Sequence, residues 1–316
     1  MDERAVAPVV AAMLLLAVLV MFLSVYNAVV VPSFKEQAEV EHLYAVEESF
    51  LTFGSDMTAA AALKQDLHLS KRIPLGGGET IFDPVRSGGT LRVSEDPEGP
   101  LAGVILNGTT YYCNLTNFSY TPIGNFWRDQ GYIWQYGYTN VTGAGGLQTP
   151  LDYADMDEVL KAAKTSGFAG SLIKIEHEGR SENTYYNCTD IRISLVKFEP
   201  HEKHYFTSGN GIGTLSLNAS VKDIPINLTT AESPKIEIAV NTTLSVPLNT
   251  SLWTKCNETL HAMNETNPGE KYYNNVQNCT FFSQDGWDRV TLTFTDREHA
   301  PERVTLRLVR VVVSAR

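Results

Sequence analysis

Hydrophobic positions along this chain change their pattern twice. From Ala5 to Phe34 no side chain is charged. At about 1.5 Å per helical residue that run is roughly 45 Å long, more than the ~30 Å of bilayer hydrocarbon. It predicts a helix held in lipid, or in something that replaces lipid. A secretory signal would show a basic leading region and an apolar core of about 7–15 residues, and this segment has neither. Next, Leu43, Val46, Phe50, Phe53, Met57 and Ala60 recur at spacings of three and four, while Glu36, Glu39, Glu41, Glu47, Glu48 and Lys64 fill the other faces. That spacing predicts an amphipathic helix to about Leu69, its apolar stripe suited either to the chain's own body or to another subunit. Pro32 should kink or interrupt the helix, and Ile73-Pro74 with Gly76-Gly77-Gly78 should end it.

From residue 79 the period becomes two. Segments 90–94, 103–106, 109–115, 132–138, 171–177, 192–198, 213–221, 235–240, 289–295 and 303–313 are predicted strands, separated by Gly, Pro, Asn and Asp clusters. Many short strands with frequent turns predict a mainly β fold with a long N-terminal helix, the body an antiparallel sandwich or jelly roll. Two helices interrupt the pattern, one over 155–163 with acids in its first turn and one over 251–263 ended by Asn267-Pro268-Gly269. This gives a helical segment over 1–73, an inner β unit over 74–166 and an outer one over 167–316. A single continuous sandwich is the alternative.

Asparagine placement adds a side of the membrane. Asn-x-Ser/Thr occurs at Asn107, Asn114, Asn117, Asn140, Asn187, Asn218, Asn227, Asn241, Asn249, Asn257, Asn264 and Asn278, twelve of nineteen asparagines. Chance would give about three, and all twelve follow the apolar segment, as expected of an extracellular body carrying covalent N-linked glycans. Cys113, Cys188, Cys256 and Cys279 lie in the same region without Cys-x-x-Cys spacing, so disulfides are expected rather than a metal site. Of three connectivities, Cys113 with Cys188 and Cys256 with Cys279 keeps each bridge local along the chain, and the first of them would cross the boundary at 166, which is what favours the single sandwich as the alternative. With 25 Lys plus Arg against 36 Asp plus Glu, the net charge is −11 and no basic cluster stands out, which argues against nucleic acid as a partner.

Candidates for chemistry are few. Tyr132, Trp134, Tyr136 and Tyr138 alternate along one predicted strand and share a face, serving either as core or as a platform for a sugar or a neighbouring subunit. His201-Glu202-Lys203-His204 suits an exposed turn. Asp152, Asp155 and Asp157 lack the glycine and glutamate of a calcium loop and fit the start of a helix. Gly209, Gly211 and Gly213 suit a turn. No nucleophile elbow, P-loop or His-Glu-x-x-His motif is present, so no catalytic residue, metal or dissociable cofactor is expected.

The opening Arg4-Ala5-Val6-Ala7-Pro8-Val9 resembles the start of archaeal type IV pilins, without the glutamate that bacterial pilins carry near the start of the helix. That resemblance implies cleavage by a prepilin peptidase between Arg4 and Ala5 on one side and Val6 on the other, and a filament of copies packed through the apolar helix. Ala11, Ala12, Ala17 and Ser24 would then allow close backbone approach, Leu15, Leu19 and Phe22 would fill the core, and Tyr26 and Asn27 would pair across subunits. The stretches 76–82, 87–91, 118–120 and 125–130 are similar to segments of archaeal surface proteins with a pilin-type helix and a β-rich ectodomain. The chain is thus expected to be a non-enzymatic surface filament subunit, held in the membrane before assembly. A membrane-anchored glycoprotein that binds a partner or carbohydrate is the other reading.

Overall fold

The computed structural model describes residues 6–77, 87–125, 129–143, 148–151, 153, 157–159, 161, 167–182, 185–228, 234–244, 248–264 and 273–316. One helix dominates its shape. Helix α1 (Val6–Val25) passes through a π turn (Tyr26–Val30) directly into α2 (Val31–Leu63). Together they make an unbroken rod of about 85 Å. The interruption lies immediately before Pro32, whose missing N–H and ring are incompatible with regular α bonding to the preceding turn. The rod ends earlier than expected. Lys64 closes α2 in the left-handed conformation at φ 51°, and the chain enters β1 (Leu67–Pro74). Leu67, Leu69 and Ile73 turn toward the core while His68, Ser70 and Arg72 face out, a period of two that overrides the helix expected to Leu69.

Two sheets form the body. The larger is ten-stranded, in the order β1, β11 (Ile212–Ile226), β15 (Arg303–Ala315), β10 (Tyr185–Gly209), β2 (Gly88–Glu95), β5 (Thr116–Ile123), β6 (Gly131–Gln135), β7 (Tyr138–Thr142) and β8 (Gln148–Pro150), with β9 (Ile173–Glu182) also on β10. The smaller runs β13 (Val276–Gln284), β14 (Trp287–Phe294), β12 (Lys235–Asn241), β3 (Ala102–Leu106) and β4 (Thr109–Cys113). Helix α3 (Gly167–Leu172) leads into β9, and α4 (Leu248–Asn264) covers the expected 251–263. Of the helix expected over 155–163, only Asp157–Val159 and Lys161 are described, all helical. Three two-residue hairpin turns, Asn107-Gly108, Tyr136-Gly137 and Asp285-Gly286, have positive φ at both positions, which suits the twist of the strands they join.

Two expectations change here. The larger sheet is mixed, because β10 and β15 run parallel from Asp190↔Arg303 onward. Strand pairing also crosses the expected boundary at residue 166 in both sheets. β2 pairs with β10, β1 with β11, and β3 with β12. Residues 74–166 and 167–316 therefore share the same two sheets.

Burial along β15 explains how one sheet serves two layers. Val304 and Leu306 are buried on one face, then Val309, Val311, Val313 and Ala315 on the other. Phe198, level with Val311, meets Phe168 of α3, which abuts Trp134 on the side occupied by α2. His177, level with Ile191, meets Tyr273 just before β13 on the opposite side. The long helix thus covers one face at the end where it arrives, and the smaller sheet with α4 covers the other face at the far end. That exchange accounts for the nearly continuous apolar stretches in β10 and β15.

Candidate assembly stem and its socket

The stem is the part of the rod that touches nothing. Residues Val9 to Val25 are all exposed, including Leu15 at 69% and Phe22 at 73%, and an 18-residue window here reaches a mean hydropathy of 2.8 with none of it buried. Ala11, Ala12, Leu15, Ala17, Leu19, Phe22 and Ser24 all project from this surface. Tyr26 is half-buried in the π turn. Val6 opens α1, while Arg4 and Ala5 lie outside the described residues. So large an apolar surface is stable in water only when lipid or protein covers it.

The socket is the other half of the rod. Val46, Phe50, Phe53 and Met57 are completely buried, Leu43 and Ala60 nearly so, and together they lie against the larger sheet. Phe118 is the centre of this contact. Its ring lies 5.1 Å from Phe50, 5.0 Å from Phe53 and 5.3 Å from Trp134, the last nearly parallel. Gly54 lets helix and sheet approach closely, since a Cβ there would stand 2.7 Å from the Trp134 ring. Tyrosine hydroxyls bind the surrounding backbone. Tyr120 donates to Leu75 O at 3.1 Å, and the Tyr132 hydroxyl, which accepts from Gln130 Nε2, faces Leu43 O at 3.3 Å and Glu47 Oε2 at 3.1 Å. Burial drives both phenols well above their ordinary range.

This arrangement corrects the aromatic platform. Tyr132 and Trp134 are 1% and 2% exposed, β6 ends at Gln135, Tyr136 forms the turn, and Tyr138 is buried on β7. The four rings do not share one outward face, and those of β6 serve the core. The apolar stripe of α2 packs on the chain's own body.

His42 marks where the rod enters the socket. Its Nε2 lies 3.0 Å from Pro74 O and therefore carries the hydrogen, while Nδ1 is buried without a hydrogen-bond partner among the described residues. Gly77 leaves room for the ring, since a Cβ there would lie 2.7 Å from His42 Cβ. Burial lowers the His42 pKa, outweighing the opposite pull of the Pro74 carbonyl and of Glu39. The unfolded chain therefore takes up the proton first. Stability is complete above about pH 6.5 and declines as pH falls below it. Urea midpoints are expected to drop between pH 7.5 and 5.5, less steeply in His42→Gln. Burial acts in the same direction at His177, which retains part of the slope. An unchanged pH profile in the variant would remove His42 from this role.

The asparagines of the twelve Asn-x-Ser/Thr motifs differ in exposure. Asn107, Asn218, Asn227 and Asn278 are exposed, and Asn114, Asn117, Asn187, Asn249, Asn257 and Asn264 half-buried. Asn140 and Asn241 are buried in the folded chain. They are 1% and 6% exposed, and the Asn241 amide donates to Pro100 O while accepting from Thr243.

The expected cysteine pairing also changes. No disulfide joins the four buried residues. Phe198 N donates to Asn114 O, whereas Cys188 lies ten residues earlier in the same strand, roughly 30 Å away at ~3.3 Å per residue. Cys113 and Cys188 are therefore far outside bonding range. Burial, reinforced by the nearby Cys256 thiol, pushes Cys113 up to about 12, and burial does the same to Cys188 and Cys256. Such thiols are inert nucleophiles.

His201 to His204 lie in a bulged stretch of β10 rather than a turn, with His201 Nδ1 accepting from the N–H groups of Lys203 and His204. Gly211 sits in the bend between β10 and β11, with Gly209 and Gly213 in the flanking strands. Asp152 and Asp155 lie outside the described residues. Among the described residues no group of three or more His, Cys, Asp or Glu is placed to hold a metal ion. No known protein family, curated protein or solved structure matches this chain.

Proposed function

We propose that this chain is the subunit of an extracellular filament related to archaeal type IV pili, a structural and not a catalytic protein. One observation carries the proposal: a single rigid helix has its second half locked into a β body and its first half wholly apolar and bare. The socket stripe is already used within the chain. What is left for neighbours is the stem, which waits in the membrane, is trimmed by a prepilin peptidase before Val6, and then packs against copies of itself. Moving from lipid to protein contact gains no escape from water, so cohesion comes from close packing at Ala11, Ala12 and Ala17 and from polar groups such as Ser24. The body carries N-linked glycans on its accessible acceptor asparagines, outside the cell.

The same bare stem suits a glycoprotein that stays anchored in the bilayer, so the decisive experiment concerns assembly. Mass spectrometry of native material is expected to give a mature chain starting at Val6, and electron microscopy to show helical polymers. Ala12→Trp or Ala17→Trp should abolish the polymers by separating the backbones. Native chains isolated singly with stems in phospholipid would overturn the filament.

A further inference from the structure

The acceptor at Asn187 differs from the others in where it sits. Asn187, Cys188 and Thr189 line an open cleft of 630 Å³ at the end of the body remote from the stem. The register between β9 and β10 shifts between Cys188 and Asp190, so Thr189 bulges out of the ladder. The backbone there is held by Asn275, which lines the same cleft. Asn275 accepts from Cys188 N at 2.8 Å through Oδ1 and donates to Cys188 O at 2.9 Å through Nδ2. Glu298, His299 and Glu302 lie in the same lining. Carboxylates and an imidazole are hydrogen-bond partners for sugar hydroxyls, and two carboxylates repel an anionic ring. Asn218 is a useful contrast, since it lines a cleft with Arg310 and Arg316.

Resting on the glycosylation proposed above, we infer that the first sugars on Asn187 are seated in this cleft as a structural part of the body, and that they are uncharged or amino sugars rather than uronates or sulfated ones. A seated sugar occupies the space between β10 and segment 295–302 and excludes water there. An acceptor on an open edge, such as Asn278 on β13, contributes nothing comparable.

The test uses the native full-length chain. Glycopeptide mass spectrometry is expected to find Asn187 occupied by a sugar lacking carboxylate and sulfate. Asn187→Gln and Thr189→Ala erase the acceptor through different atoms and should lower Tm alike by about 4 °C. Thr189→Ser, which keeps the acceptor, and Asn278→Gln should both leave Tm unchanged. A drop in Thr189→Ala alone would reflect the lost hydroxyl and overturn the seat. An acidic sugar, unchanged Tm values, or a bare Asn187 beside occupied acceptors elsewhere would also overturn it. Sugar on none of the acceptors would instead remove the glycosylation on which it rests.

Discussion

Phe53→Ala is expected to destabilise the chain by about 3–5 kcal/mol, a large share of the ~5–15 kcal/mol available to a folded domain. Phe53 is fully buried against Phe118, and α2 and the sheet are each too rigid to close the space that its ring leaves. The cost therefore contains both lost transfer energy and a persistent cavity. Urea unfolding of the detergent-solubilised chain, followed by tryptophan fluorescence, measures it. Tyr44→Ala, on the outward face of the same helix at 65% exposure, supplies the comparison and should move stability by less than about 0.5 kcal/mol. Equal effects at the two positions would mean that α2 does not dock as described.

Leu15→Lys should have the opposite profile. The residue is 69% exposed and touches no part of the body, so urea midpoints and circular dichroism should match the unaltered chain. Assembly should fail. An ammonium near the middle of a spanning helix costs about 2.5–3.5 kcal/mol, and in a polymer that cost recurs in every copy. Negative-stain microscopy should find no filaments, with less chain in the membrane fraction. Filaments at normal density would exclude Leu15 from the packed interior. Body and stem are thus separable by one substitution each.

How much of this was legible in the residues depends on how local each signal is. The stem is visible because thirty uncharged residues admit few alternatives, and the strands at 90–94 and 289–295 because their alternation of apolar and polar residues is plain in the sequence. β1 was hidden because its Leu67-His68-Leu69-Ser70 alternation directly follows a strong helical pattern, with no glycine or proline between. Tyr136 looked like part of a strand since Tyr rarely adopts positive φ, and only the following Gly137 hinted at the hairpin. The shared sheets lie beyond local pattern altogether. Nothing near Thr90 announces that it stands beside Ser208, whose hydroxyl is 3.0 Å away. Acceptor motifs likewise carry no burial term, so Asn140 and Asn241 looked like the other ten. The socket had one overlooked sign, since Gly54 inside an otherwise good helix is costly unless something needs the space.

The π turn at Tyr26–Val30 has a geometric consequence. An extra residue within one turn resets the angular phase of everything beyond it by ~100°, so these five residues decide which compass direction the body faces around the stem. In a polymer whose interior is set by stem packing, that bearing governs which flank of each subunit becomes the visible exterior and which is hidden against its neighbours. In the proposed filament, the orientation of the whole coat would be encoded in a single turn of backbone, far from any surface that it orients.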